Sequence, residues 1–112
     1  MHYTIMSRLH VIRGSFPLMT IFSRPQCGLC EEAKESIAKA ITQLPKFQFL
    51  EIDIMKPENH DWFDKYAYDV PVIHFQTAEN EGVKKIMHHI HEQDVVDLVQ
   101  QSLDAAKSSW PK

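Results

Sequence analysis

Leu18-Met19-Thr20-Ile21-Phe22-Ser23-Arg24-Pro25-Gln26-Cys27-Gly28-Leu29-Cys30 is the stretch around which the chain is organised. An apolar run delivers the only two cysteines, three positions apart, to the start of an amphipathic run. A strand that hands a C-x-x-C to a helix N-terminus is a thiol–disulfide arrangement. Cysteines at i and i+3 of a helix start share a face, so their sulfurs can close a small disulfide. The first thiol meets unpaired N–H groups and the positive end of the helix dipole, which favour its thiolate.

The same spacing is half of a zinc site, which needs two further ligands. No second cysteine pair exists, and His88, His89 and His91 are the remaining candidates. If residues 83–91 alternate as a strand, His89 and His91 share one face and His88 takes the other. The strand-then-helix context favours redox chemistry over a metal, and no metal ligand is expected.

Composition bounds the rest. At 112 residues, 44% of them hydrophobic, the chain suits one domain with one ordinary core. No run approaches a membrane span. A net charge of −3 argues against a nucleic-acid binder driven by phosphate contacts. Two cysteines in a redox spacing do not make a secreted disulfide scaffold, so a reducing intracellular compartment is expected. Charge is unevenly spread: residues 1–30 hold Arg8, Arg13 and Arg24 and no acid. Residues 1–16 read as an N-terminal extension to a domain spanning 17–112. Ile5, Leu9, Ile12 and Phe16 form one helical stripe flanked by Arg8 and Arg13. That pattern fits a mitochondrial transit segment as well as a tail beside a cytoplasmic domain.

Residues 18–23 read as a first strand buried on both faces, since the run is nearly continuous. Pro25 cannot continue a ladder, so the chain turns there. A helix follows from about Gly28 to Gln43, with Leu29, Ala33, Ile37, Ala40, Ile41 and Leu44 inward. Glu31, Glu32 and Glu35 suit its dipole but compete with a Cys27 thiolate. Lys34 reads as a solvated residue. Phe47–Ile54 alternates as a second strand, parallel to the first through the crossover helix. A shorter helix runs from Pro57 to about Ala67, with Trp62, Phe63 and Tyr66 packed inward. Val70–Phe75 reads as a turn into a third strand, in which His74 is a packed or edge-strand residue. Val83–Met87 is a fourth strand, antiparallel to the third. The last helix spans about Gln93–Lys107.

This β-α-β-α-β-β-α order, with a four-stranded mixed sheet flanked by helices, resembles glutaredoxins within the thioredoxin fold. The resemblance covers roughly residues 18–107. Cys27-Gly28-Leu29-Cys30-Glu31-Glu32-Ala33-Lys34 is similar to the family's C-x-x-C-x-x-A-K. Phe22-Ser23-Arg24 stands in its aromatic-polar-basic lead-in, and Val70-Pro71 matches its Val before a cis-proline. The chain departs at Gly28-Leu29, where Pro-Tyr is usual, at Asp69, where Thr is common, and at His88-His89-Ile90-His91, in place of a Gly-Gly.

The resemblance implies an enzyme of reversible thiol–disulfide exchange acting on protein or small-molecule disulfides. Cys27 attacks and Cys30 resolves. Val70 and Pro71 face the pair and present backbone groups to an extended substrate. Arg24 holds a substrate carboxylate and lowers the Cys27 pKa. No tightly bound cofactor is implied, and glutathione is the co-substrate. Weak glutathione dependence is expected, because the Gly pair is missing and Glu92 and Asp94 occupy the last helix start. A monomer is expected. The alternatives are an iron–sulfur or metal-binding module, against which Cys30 argues by competing for a disulfide, and a redox-inactive interaction domain.

Overall fold

A computed structural model of the chain describes residues 16–79 and 81–108. The sequence-based readings of the N-terminal segment, its targeting role included, fall outside these residues except at Phe16. The elements are β1 (Leu18–Ser23), α1 (Gly28–Ala40), β2 (Gln48–Asp53), α2 (His60–Tyr66), β3 (Val72–Gln76), β4 (Lys84–Met87) and α3 (Glu92–Ser108). Short 3-10 turns extend α1 over Ile41–Gln43 and precede α2 over Pro57–Asn59, so the expected second helix is two pieces. The strand order is β2-β1-β3-β4. As expected, β1 and β2 are parallel and β3 is antiparallel to β4; β3 also pairs antiparallel with β1. No helix among the described residues is long and apolar enough to cross a membrane.

Side chains alternate along each strand, so the sheet builds two cores. On one face Met19, Ile21, Phe49, Ile73 and Phe75 meet Ala33, Ile37 and Ala40 of α1 and Val95, Val96 and Val99 of α3. This is the inward stripe read from the 3.6-residue period, with one exception at Leu29. On the other face Phe22 and Val72 pack with Ile54 and Tyr66, and Trp62 and Phe63 close over them. The inward aromatics of the short helix are therefore packing residues.

β3 is an inner strand, and His74 is packed within it. Its ring meets Phe22 edge-on, with centroids 4.7 Å apart, and Nε2 lies 2.7 Å from the buried Tyr66 hydroxyl. Lys85 stands directly across the ladder. Burial, with the nearby cations of Lys85 and Lys65, pushes His74 down to about 4.

His74 therefore stays neutral in the folded chain while the same residue in the unfolded chain titrates near 6.5. Between those values the unfolded state binds the extra proton, so stability falls as pH drops from 6.5 towards 4. The slope stays below one proton per molecule, because the ring is half-exposed and screened. Urea denaturation across that window checks it. His74→Gln, which keeps an acceptor for Tyr66, is expected to flatten this part of the curve relative to wild type.

Candidate functional site

β1 ends at Ser23 with its backbone still engaged: the Ser23 carbonyl accepts from the Ile54 N–H at 2.9 Å. The chain then turns through Pro25 and Gln26. Gln26 takes φ 57°, a left-handed conformation that reverses the chain within one residue. Cys27 follows as the N-cap of α1, with extended backbone at φ −122° and ψ 107°. Its Sγ accepts the Cys30 N–H at 3.1 Å, while the Glu31 N–H closes the first helical bond to the Cys27 carbonyl. The N–H groups of Gly28 and Leu29 have no acceptor among the described residues. One first-turn donor thus meets the sulfur and two more are open at the same helix start, the kind of arrangement that stabilises a thiolate.

The two sulfurs lie at disulfide distance, with Cα atoms 5.2 Å apart. Cys27 is half-buried and Cys30 is 0% exposed. An open cleft of about 370 Å3 runs past Cys27, lined by Arg24, Gln26, Gly28, Leu29, Ala67, Tyr68 and Val70. Leu29, expected in the core, lines this cleft instead, because the helix start projects beyond the sheet. A Cβ added at Gly28 would meet no atom within 4 Å. Arg24 is exposed and makes no ion pair among the described residues. Val70 is half-buried, and its backbone carries no hydrogen bond among the described residues. The Val70–Pro71 bond is cis, as expected, and Pro71 is fully buried beside the cleft-lining Val70.

Lys34, expected to be solvated, is not. Its Nζ lies 3.0 Å from Glu51 and 3.1 Å from Glu31. The same Glu51 oxygen accepts the buried Ser23 hydroxyl at 3.0 Å. One carboxylate thereby ties the end of β1, the first turns of α1 and β2 together directly behind the cysteine loop. Burial alone would lower the Lys34 pKa; hydrogen bonds to Glu51 and Glu31 outweigh it and hold Lys34 above its usual value. This pairing also draws Glu31 towards Lys34, which moderates its competition with a Cys27 thiolate.

The histidines do not gather at the cysteines. β4 ends at Met87, and His88 takes φ 72°, which breaks the expected alternation. Its N–H donates to the Pro71 carbonyl at 2.9 Å and its ring reaches Asp69 at 3.4 Å. His89 and His91 stack on each other, with centroids 6.1 Å apart. Among the described residues, the one metal-capable cluster is the exposed His60, Asp61 and Asp64. α3 starts beside the second half of α1: Ser36 Oγ donates to the Ile90 carbonyl at 2.9 Å, and Gln43 bonds Glu92. Ser36 lies about 13 Å along the helix from Cys27. Asp94 Oδ2 accepts the His91 N–H at 2.9 Å, so the α3 N-terminus carries its own carboxylate.

Sequence reasoning missed two features. Glu51 shares the face of Phe49 in an alternating strand, but only the Leu18–Gln48 to Ser23–Asp53 register carries it beside Lys34. Tyr68 reads as part of a helix-to-strand turn, and the exposed-aromatic signal is absent from a single sequence.

Comparison with known proteins bears on the whole arrangement. The family model of the glutaredoxin-like domain (DUF836) matches residues 18–100. The chain is 46% identical over 54 residues to the glutaredoxin-like protein YDR286C homolog of Dictyostelium discoideum, which covers 46% of this chain and 50% of that protein. The matched segment therefore spans about half the length of that curated relative. Among solved structures, thioredoxin O1 from Arabidopsis thaliana in the oxidized state superposes with a TM-score of 0.62 at 20% identity, over 79% of this chain and 78% of that one. The target protein XcR50 from X. campestris gives 0.57 at 18% identity, over 74% and 96%. These likenesses show the thioredoxin fold.

Two outcomes follow from the geometry. In the reduced protein, iodoacetamide is expected to modify Cys27 roughly tenfold or more faster than the buried Cys30, read by peptide mass spectrometry. Glu51→Gln is expected to cost about 1–2 kcal/mol in urea denaturation at pH 7, and Lys34→Met a similar amount, with the double variant losing less than the sum. The Lys34 contribution is complete below pH 10.5 and fades as pH rises through its raised folded value.

Proposed function

The chain belongs to the glutaredoxin-like domain family, and from that premise we propose that it is a thiol–disulfide oxidoreductase working through Cys27 and Cys30. The observation that carries this reading is the cysteine pair at disulfide distance, with one member open to a cleft and the other buried behind it. In the reduced protein the Cys27 thiolate attacks one sulfur of a substrate disulfide. That S–S bond breaks, the distal sulfur leaves as a thiolate and takes a proton from solvent, and Cys27 is held in a mixed disulfide. Cys30 then gives its proton to solvent and attacks the Cys27 sulfur. The second substrate thiolate departs and the Cys27–Cys30 disulfide remains. Two electrons pass from protein to substrate, and an external dithiol or two thiol molecules return them.

Arg24, unpaired and on the cleft rim, takes a substrate carboxylate. Val70, with an unengaged backbone beside Cys27, pairs with an extended substrate next to the buried Pro71. Glutathione is the weaker co-substrate. A helix N-terminus would be the natural third anchor for its second carboxylate, but α3 starts more than two turns along α1 from Cys27 and is capped by Asp94. Loss of one charge-assisted anchor costs roughly ten- to a hundredfold in affinity.

The test is exchange with a small disulfide. Wild type is expected to react, Cys27→Ser to be inert, and Cys30→Ser to stop at the mixed disulfide, visible by mass. Glutathione-coupled turnover is expected to be weak and to fall further in Arg24→Ala. Absence of exchange in wild type overturns the oxidoreductase reading. Strong glutathione turnover that ignores Arg24 overturns this account of the glutathione site. His88→Gly places a glycine in this approach without backbone strain, since His88 already holds the left-handed conformation.

A further inference from the structure

Tyr68 stands at the crown of the turn that joins α2 to β3. The turn closes on itself, the Asp69 N–H donating to the Tyr66 carbonyl at 3.0 Å. Small polar residues or glycine serve such a crown best, for conformational reasons. A tyrosine there is 97% exposed, and it makes no hydrogen bond or ring contact among the described residues. It contributes nothing to the fold that an alanine would not. Tyr66, two positions earlier, is the opposite: buried, stacked on Trp62 and bonded to His74. A lone exposed aromatic is ordinary on a protein surface. This one is on the wall of the cleft that opens onto Cys27, a wall shared with Ala67 and Leu29. The cleft therefore joins a reactive sulfur, an unengaged Val70 backbone and an apolar wall whose largest member is otherwise unused.

The geometry points to Tyr68 as a specificity-determining residue that receives an apolar side chain flanking the target cysteine of an extended polypeptide. The inference rests on the oxidoreductase reading and names its substrate class: protein disulfides carried on accessible extended segments. The backbone of such a segment pairs at Val70. Its cysteine meets Cys27, and a neighbouring apolar side chain packs between Tyr68 and Leu29. Tyrosine suits this task because it offers a broad apolar face at small entropic cost and keeps a hydroxyl for the wet rim. A small disulfide without side chains gains nothing from the wall.

Single-turnover oxidation of the reduced protein tests this with three probes. They are bis(2-hydroxyethyl) disulfide, a short disulfide-bridged peptide with leucines on both sides of the bridged cysteine, and the same peptide with alanines there. Wild type is expected to react faster with the leucine peptide than with the alanine peptide. Tyr68→Ala is expected to lose roughly tenfold on the leucine peptide while keeping its rate on the small disulfide, and Tyr68→Phe is expected to keep both. Equal wild-type rates on the two peptides, or a Tyr68→Ala variant that keeps the leucine preference, overturn this inference and leave the oxidoreductase reading standing. No reaction with the small disulfide overturns both.

Discussion

The structure depends on the double burial of β1. This strand lies between a parallel and an antiparallel neighbour, and both of its faces are covered. Its residues have no freedom to slip, because a shift of one position would exchange Met19 and Ile21 with Thr20 and Phe22 across the two cores. The end of β1 is thereby held in place, and the cysteine loop leaves from a fixed point. The contact of the Cys30 N–H with the Cys27 sulfur, 3.1 Å long, is set where the strand hands the loop to the helix.

The electrostatics around the loop divide the labour. Donors at the start of α1 favour negative charge on Cys27. The acids that follow in sequence oppose it, and Lys34 draws one of them aside while pairing with Glu51 behind the loop. Arg24 is left on the solvent side. The cation behind the loop is committed to the protein's own carboxylates, and the cation in front makes no ion pair among the described residues. Arg24 and Lys34 both carry a positive charge, but Lys34 is partly buried and paired with two carboxylates while Arg24 is exposed.

Most of the fold was legible in the sequence, because strand and helix periods are written directly in the apolar positions. The directions of two strand pairs also followed, from the long helical crossover at 28–43 and the short connection at 76–82, whereas the pairing of β1 with β3 was not read from the sequence. The less legible parts were those set by register or by one dihedral angle. Glu51 meets Lys34 only once β1 and β2 have paired, a fact no local window contains. His88 in a left-handed conformation gives no compositional warning, since glycine or asparagine would be the usual signal. That single residue ended the fourth strand and undid the alternation on which a shared histidine face rested. Leu29 satisfied the helical period yet belongs to the cleft, because periodicity reports the face of a helix and not where the covering sheet stops. The cysteine pair was legible through its spacing, and the cis Val70–Pro71 bond through the resemblance. Tyr68 was not, since nothing in its type separates a packed tyrosine from an open one.

The empty space around Gly28 has an evolutionary consequence. A side chain added at this position meets no neighbour, and the backbone there is ordinary helix, so neither core nor loop resists a substitution. Gly28, one of the two residues between the cysteines, is thus uncoupled from folding. Lineages can drift through many residues at this one position with little selection on solubility or assembly. A combinatorial library at this one codon would vary the surroundings of the cysteine pair on a constant scaffold, and its survivors would hardly differ in yield.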